Sequence, residues 1–220
     1  MKKIFKILFI TSLTIFTISL NSCSDEDKDS YGLSEVATFP VFTLTGGNLI
    51  VETSHSGSWT DPGVVAHAGE KELDVTSQGS VDPSRPGLYL LTYTAFDESG
   101  NFPVSTERKV LIVSAPLTAD YRGSYQVISA TRTNKMNVVS MGGETLGWYR
   151  ASDSWWQSSA IPVEFVDLGT GLKVIPGNSG FGPFDGNVTY DAATNTFTFQ
   201  LTFTSGVNEG VSWNTSWVKQ

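Results

Sequence analysis

Thr196-Phe197-Thr198-Phe199-Gln200-Leu201-Thr202-Phe203-Thr204 alternates without a break: Phe197, Phe199, Leu201 and Phe203 take every second position, with Thr or Gln between them. A period of two sets the four apolar side chains on one face of a strand and hydrogen-bonding side chains on the other. The apolar face has to be covered. No stretch of the chain carries the sustained 3.6-residue apolar period and the caps of a helix that could cover it. More sheet must do so, and the chain is expected to be all-β, with an antiparallel sheet here curling into a sandwich or a partial barrel.

Working outward, further strand candidates in this half are Tyr121 to Thr131, Thr145 to Arg150, Ile161 to Asp167, Leu172 to Ile175, Val188 to Tyr190 and Gly210 to Val218. Gly142-Gly143, Gly169-Thr170-Gly171, Gly177-Asn178-Ser179-Gly180 and Asp185-Gly186-Asn187 separate them as turns. Five of the six tryptophans lie here: Trp148, Trp155, Trp156, Trp213 and Trp217. The segment Gly147-Trp148-Tyr149-Arg150-Ala151-Ser152-Asp153-Ser154-Trp155-Trp156-Gln157 combines rings with polar groups. If Trp155 and Trp156 are extended, they point to opposite faces, one into a core and one outward. An outward indole beside polar groups suits a sugar, whose apolar face stacks on the ring while its hydroxyls are held. The other reading is that these rings fill the core of a domain poor in leucine. Trp148, Tyr149, Arg150, Asp153, Trp155 and Trp156 are the candidate ligand-binding residues.

Composition narrows the function classes. The 220 residues hold 14 basic and 22 acidic residues, a net charge of −8. An acidic surface argues against nucleic acid and anionic membrane surfaces as partners. Glu144, Asp153, Glu164, Asp167 and Asp185 could supply the carboxylate pair of a glycoside hydrolase, but turn-forming roles explain them equally well. There is no Gly-x-Ser-x-Gly element, and Gly177-Asn178-Ser179-Gly180-Phe181-Gly182 runs into Pro183 instead of a phosphate-cradling helix. His55 and His67 lack the cysteines and tight spacing of a zinc site. No catalytic activity, metal or cofactor is expected.

Ser114-Ala115-Pro116-Leu117 links this half to an earlier one. There Gly87-Leu88-Tyr89-Leu90-Leu91-Thr92-Tyr93-Thr94-Ala95-Phe96-Asp97 has apolar weight on both faces, as in the central strand of a two-sheet sandwich. Ser99-Gly100-Asn101 is turn chemistry, and Arg108 to Val113 supplies the return strand. Asp61-Pro62-Gly63 reads as a turn, and Asp97 with Asn101 as a hairpin brace; Asp97, Glu98 and Asn101 are too few oxygen ligands for a calcium loop. Several segments follow in order: Thr43-Leu44-Thr45-Gly46-Gly47, Ile50-Val51-Glu52, Trp59-Thr60-Asp61-Pro62-Gly63-Val64-Val65-Ala66, Pro86-Gly87-Leu88-Tyr89, Tyr93 to Asn101, and Arg108-Lys109-Val110. Together they resemble the bacterial immunoglobulin-like domain also found in the pesticidal crystal toxin group. The resemblance implies a β-sandwich over residues 37–114 that acts as a spacer or presentation unit.

The amino terminus has the parts of an export signal: Lys2, Lys3 and Lys6, then an apolar run from Ile7 to Leu20. That run is too short to span a bilayer, which takes about 20 residues. Cys23, the only cysteine, cannot form an internal disulfide and reads as a capped sulfur. Leu20-Asn21-Ser22-Cys23 resembles the lipobox of bacterial lipoproteins, which implies lipidation at Cys23. Removing the three signal lysines from 14 basic residues leaves 11 against 22 acidic ones, a charge of about −11. The polar run Ser24-Asp25-Glu26-Asp27-Lys28-Asp29-Ser30 reads as a flexible tether. Acids directly behind the cysteine resemble the surface-export signal of Bacteroidetes lipoproteins, although physical chemistry alone leaves the periplasmic side open.

The expected organisation is a signal peptide over residues 1–22, a lipidated tether over 23–36, the Ig-like sandwich over 37–114 and a carboxy-terminal β domain over 117–220. Tyr121-Arg122-Gly123-Ser124-Tyr125, Ser152 to Trp156 and the Trp213 to Trp217 end add a likeness to two-part Bacteroidetes surface lipoproteins. That likeness implies a noncatalytic protein, held in the outer membrane by lipid and facing outward, with a polysaccharide or outer-membrane proteins as partners. Accessory glycan binding and a purely structural or protein-interaction role both remain open.

Overall fold

Residues 38–220 are described by the computed structural model. The expected signal peptide, Cys23 and the acidic tether lie outside the described residues. Every regular element among the described residues is a strand, and the alternating stretch forms β15 (Thr196–Phe203). Its four apolar side chains are buried, as the period of two requires.

The sheet around β15 is an up-and-down meander of antiparallel neighbours. It runs through β8 (Gly123–Val127), β9 (Lys135–Gly142), β10 (Thr145–Ala151), β11 (Val163–Asp167), β12 (Leu172–Ile175), β13 (Gly177–Ser179), β14 (Gly182–Asp191), β15 and β16 (Ser212–Lys219). The first strand pairs with the last, Trp217 opposite Val127. Only Pro176 separates β12 from β13; Val174 pairs with Phe165 of β11, whereas Gly177 pairs with Phe184 of β14. Proline removes a ladder donor and bends the chain, so Leu172 to Ser179 borders both ends of the sheet and nearly closes it. Of the two expected architectures, the partial barrel is the one formed.

With β12 and β13 taken as one bent strand, about eight strands surround an interior wide enough for side chains and little else. Rings fill it. Tyr149 stacks on Phe165 at 5.5 Å between centroids, Phe165 meets Phe197 edge-on at 5.3 Å, and Phe203 lies 4.8 Å from Trp213. Three strands depart from the sequence reading, and one of them is β13, which forms at Gly177–Ser179, where a turn is expected, because it pairs with Gly182–Phe184 of β14. β9 was not anticipated because its apolar residues fall on both faces: Met136 and Val138 point inward, Met141 packs outside and Val139 is exposed. β14 begins at Gly182 instead of Val188: Asp185-Gly186-Asn187, expected as a turn, pair with Thr202, Leu201 and Gln200 of β15, so long-range pairing overrides their local turn preference.

The first module places β1 (Val41–Leu44), β3 (Val64–Ala68) and β4 (Lys71–Leu73) in one sheet. The other sheet is β2 (Leu49–Thr53), β7 (Pro103–Val113), β6 (Gly87–Phe96) and β5 (Thr76–Gln78), with β2 parallel to β7. Leu91, Tyr93, Val110 and Ile112 form the core between them, joined by Phe42, Leu44, Ile50 and Trp59. At its edge the fully buried Arg108 donates to Asp61, to the carbonyls of Gly47 (3.2 Å), Thr45 (2.7 Å) and Gly63 (3.0 Å), and Tyr93 donates to the same Asp61. A guanidinium offers five donors in a rigid fork, and four of its bonds here tie two loops to the central hairpin. The second face of β6 is not covered by another sheet: Leu90 and Phe96 are exposed, and Leu88 is half-buried beneath the barrel.

The modules meet along a packed seam, and Phe39–Gln220 form one compact unit. Leu49, Leu111 and Val113 of the first module bury against Trp148 and Val166 of the barrel, with Val51, Leu117, Met141 and Ile175 around them. The Ser114 amide donates to the Leu168 carbonyl at 2.7 Å. Gly147 allows this approach: its φ is +116°, and a Cβ there would lie 2.6 Å from Leu111 and 2.7 Å from Leu117. Gly147→Ala should therefore lose about 2–3 kcal/mol through backbone strain and overpacking, read as a lowered urea midpoint of the whole unit. An unchanged midpoint would show that the seam is not tightly packed at this position.

Candidate functional site

The structure divides the six predicted ligand-binding residues among different environments. Trp148 points out of the barrel into the seam, donates from Nε1 to Glu164 at 3.0 Å, and lies under the Lys109 ammonium, 4.6 Å from its ring. Tyr149, next in sequence, points into the barrel, is fully buried and donates to the Ala119 carbonyl at 3.2 Å. Burial pushes its hydroxyl pKa up to about 12. Arg150 is exposed opposite Glu164 in the ladder and lines a depression of about 210 Å³ with Pro162, Pro176 and Asn178.

Asp153, Trp155 and Trp156 belong to the loop from Ser152 to Pro162, not to a strand, so the two indoles do not straddle a sheet. Trp155 packs edge-on against Trp213 at 4.8 Å, and Trp156 is half-buried against the same core. The Ser154 carbonyl accepts from Trp213 Nε1 (3.0 Å) and Thr215 Oγ1 (2.9 Å), drawing the loop over the end of the barrel. Tyr149 and the Trp155 loop thus complete the interior and its cap, whereas Arg150 faces solvent.

The acids considered for hydrolysis are each engaged separately. Glu144 pairs with Arg122 at 3.2 Å, Glu164 accepts from Trp148, Asp167 accepts from the buried Tyr121 hydroxyl at 3.1 Å, and Asp185 accepts from the Gly186 amide at 2.7 Å. Among the described residues, no three His, Cys, Asp or Glu side chains are grouped to hold a metal ion. Asp97 accepts from the amides of Asn101 and Phe102, both 2.9 Å, and braces the β6–β7 hairpin.

A surface that the sequence reading missed lies on the outside of β14, β15 and β16. The register sets Asn187 opposite Gln200 and Gln200 opposite Asn214, a row of three amides. Thr202 and Ser212 form the next row, bonded to each other at 2.7 Å, and Thr198 and Ser216 the row on the other side, at 3.2 Å. The amide row and the Thr202/Ser212 row floor a shallow depression of about 460 Å³. Its signal was present in the opening stretch as the polar half of the alternation, Thr198-Gln200-Thr202.

Residues 42–112 match the family of bacterial surface protein Ig-like domains. The match lies wholly within the first module and takes in the Asp61, Tyr93 and Arg108 hub. Among solved structures, a lipoprotein from Bacteroides thetaiotaomicron is similar at 22% identity over 83% of this chain and 100% of that chain, with a TM-score of 0.37. No curated protein matches. The Ig-like domain also supplies Lys109, whose ammonium covers Trp148 at the seam.

Asp153 is a buried carboxyl in the loop that caps the barrel. Burial raises its carboxyl pKa, opposed by the amides of Trp155 (2.7 Å) and Ile161 (3.1 Å), which donate to Oδ1. The folded state therefore holds this proton more tightly than the unfolded chain. Its contribution to stability is greatest below the ordinary aspartate pKa of about 3.9 and declines as pH rises through the raised value. Asp153→Asn keeps an acceptor for both amides and should flatten that decline in denaturation midpoints measured from acid to neutral pH. Superimposable profiles for the two proteins would mean that Asp153 ionises without consequence for folding.

Proposed function

We propose that the protein is a noncatalytic, lipid-anchored protein of the outer membrane, facing the exterior, whose barrel binds a glycan while the Ig-like domain holds it away from the membrane. The observation that carries this reading is the filled barrel, because ring side chains occupy the space in which other eight-stranded barrels take a ligand. Recognition then falls to the outer surface. The rigid seam supports a spacer role, since a domain packed through Leu111 and Trp148 sets the barrel at a fixed distance and orientation. The family match to surface-protein Ig-like domains and the Cys23 context favour exposure on a cell. The acidic charge disfavours nucleic acid as a partner.

A structural or protein-interaction role is the rival. It is favoured by apolar side chains that the Ig-like domain leaves exposed, including Phe39, which meets Phe102 at 6.1 Å, and Phe96.

The two readings separate in one set of measurements. Titration calorimetry with a panel of polysaccharides should detect binding of at least one of them. In cells, Cys23→Ala should move the protein from the membrane to the soluble fraction without altering its fold. A flat response to every polysaccharide, with the protein still recovered in complexes of outer-membrane proteins, would leave only the structural role.

A further inference from the structure

We infer that the outer face of β14, β15 and β16 is a binding site for an uncharged, polyhydroxylated chain, with Asn187, Gln200 and Asn214 as its recognition row. The inference rests on the glycan reading above and assigns it a place and a ligand chemistry. Three observations carry it.

The first is the state of the amides. None of the three side chains has a hydrogen-bond partner among the described residues, although the hydroxyl rows on either side are paired internally. Each amide presents a carbonyl acceptor and an NH₂ donor. Register fixes the three side by side on adjacent strands about 4.8 Å apart, so donors and acceptors recur at a set spacing across roughly 10 Å. Hydroxyl groups on a chain are donors and acceptors at once and match such a row; a phosphate or carboxylate would meet amide oxygens without a cation to offset its charge.

The second is charge. The chain is acidic, yet apart from Asp185, the β14 member of the Thr202/Ser212 row, the three rows from Thr198/Ser216 to Thr202/Ser212 hold only amides and hydroxyls. Asp185, opposite Thr202, stands at one end and would repel an anionic ligand further. The occupant consistent with this face is neutral.

The third is shape. The amide and Thr202/Ser212 rows are hollowed to about 460 Å³ and open, and with the Thr198/Ser216 row beside them the face extends roughly 13 Å along the strands at about 3.4 Å per residue. An extended polymer can lie in such a shallow depression, whereas a small ligand would be left largely in water. Rigid strands hold the backbone of the row, so binding has only the amide side-chain rotamers to order.

The test uses the full protein lacking only its lipid, with mannan, dextran and levan as neutral probes and polygalacturonate as the acidic one, in affinity electrophoresis and titration calorimetry. The wild type should be retarded by a neutral polysaccharide, and Gln200→Ala with Asn214→Ala should weaken that binding at least about tenfold, the loss of one or two ordinary hydrogen bonds. Because these amides make no internal bond, the thermal midpoint should stay within about 2 °C. Undiminished binding by the double variant would place the site elsewhere and overturn the inference while the glycan reading stands. Retention by polygalacturonate alone would do the same. A wild type retained by no polysaccharide would remove both. A dimer of the wild type that the double variant abolishes would identify the face as a contact between copies and overturn the inference.

Discussion

The contact of Trp148 with Leu49, Leu111 and Val113 makes two β modules behave as one body. Burying an indole and its aliphatic surroundings is worth several kcal/mol in round terms, and the Lys109 ammonium adds an electrostatic contact to the ring face. Close approach depends on missing side chains, at Gly147 opposite Leu111 and at Gly142 opposite Leu49. The strand β7 is consequently used twice: Val110 and Ile112 enter the Ig-like core while Leu111 and Val113 enter the seam. Interfaces between domains of one chain are often polar and mobile; an apolar seam of this kind restrains relative motion.

A second constraint follows from the barrel itself. Eight strands enclose little volume, and Tyr121, Tyr149, Phe165, Phe197, Phe199 and Trp213 fill it through edge-on and stacked contacts. The polar ends of the tyrosines are satisfied within the core: Tyr125 donates to the Tyr121 carbonyl at 2.7 Å and Tyr121 donates to Asp167. Burial raises the pKa of both hydroxyls, which keeps them neutral donors. The loop bearing Asp153, Trp155 and Trp156 then seals one end. The interior is thereby filled, and the free polar side chains stand on the outer face of rigid strands.

Much of this was legible in the chain. The period of two in Thr196 to Thr204 and in Gly87 to Asp97 marked strands, and the ordered segments of the first module marked an Ig-like domain. The candidate site was less legible. Trp148 and Tyr149 lie on opposite faces of β10, as adjacent strand residues do, and their destinations are a seam and a barrel interior. Trp155 and Trp156 follow a strand instead of lying in one, because Asp153 Oδ1 captures the Trp155 and Ile161 amides and turns the backbone away from the ladder.

By itself the sequence determined what depends on near neighbours: strand character, the apolar and polar face of each strand, the turns at Gly142-Gly143 and Gly169-Thr170-Gly171, and the acidic charge. Tertiary structure alone decided which strands lie side by side. Pairing of β8 with β16 closes the meander across nearly a hundred residues, and the bend at Pro176 transfers one strand between two partners. The amide row exists only through that registry, since Asn187, Gln200 and Asn214 are unremarkable in three separate segments. Local periodicity fixes a side chain's face, but its neighbours across the sheet are set by long-range pairing, which no single stretch of sequence encodes.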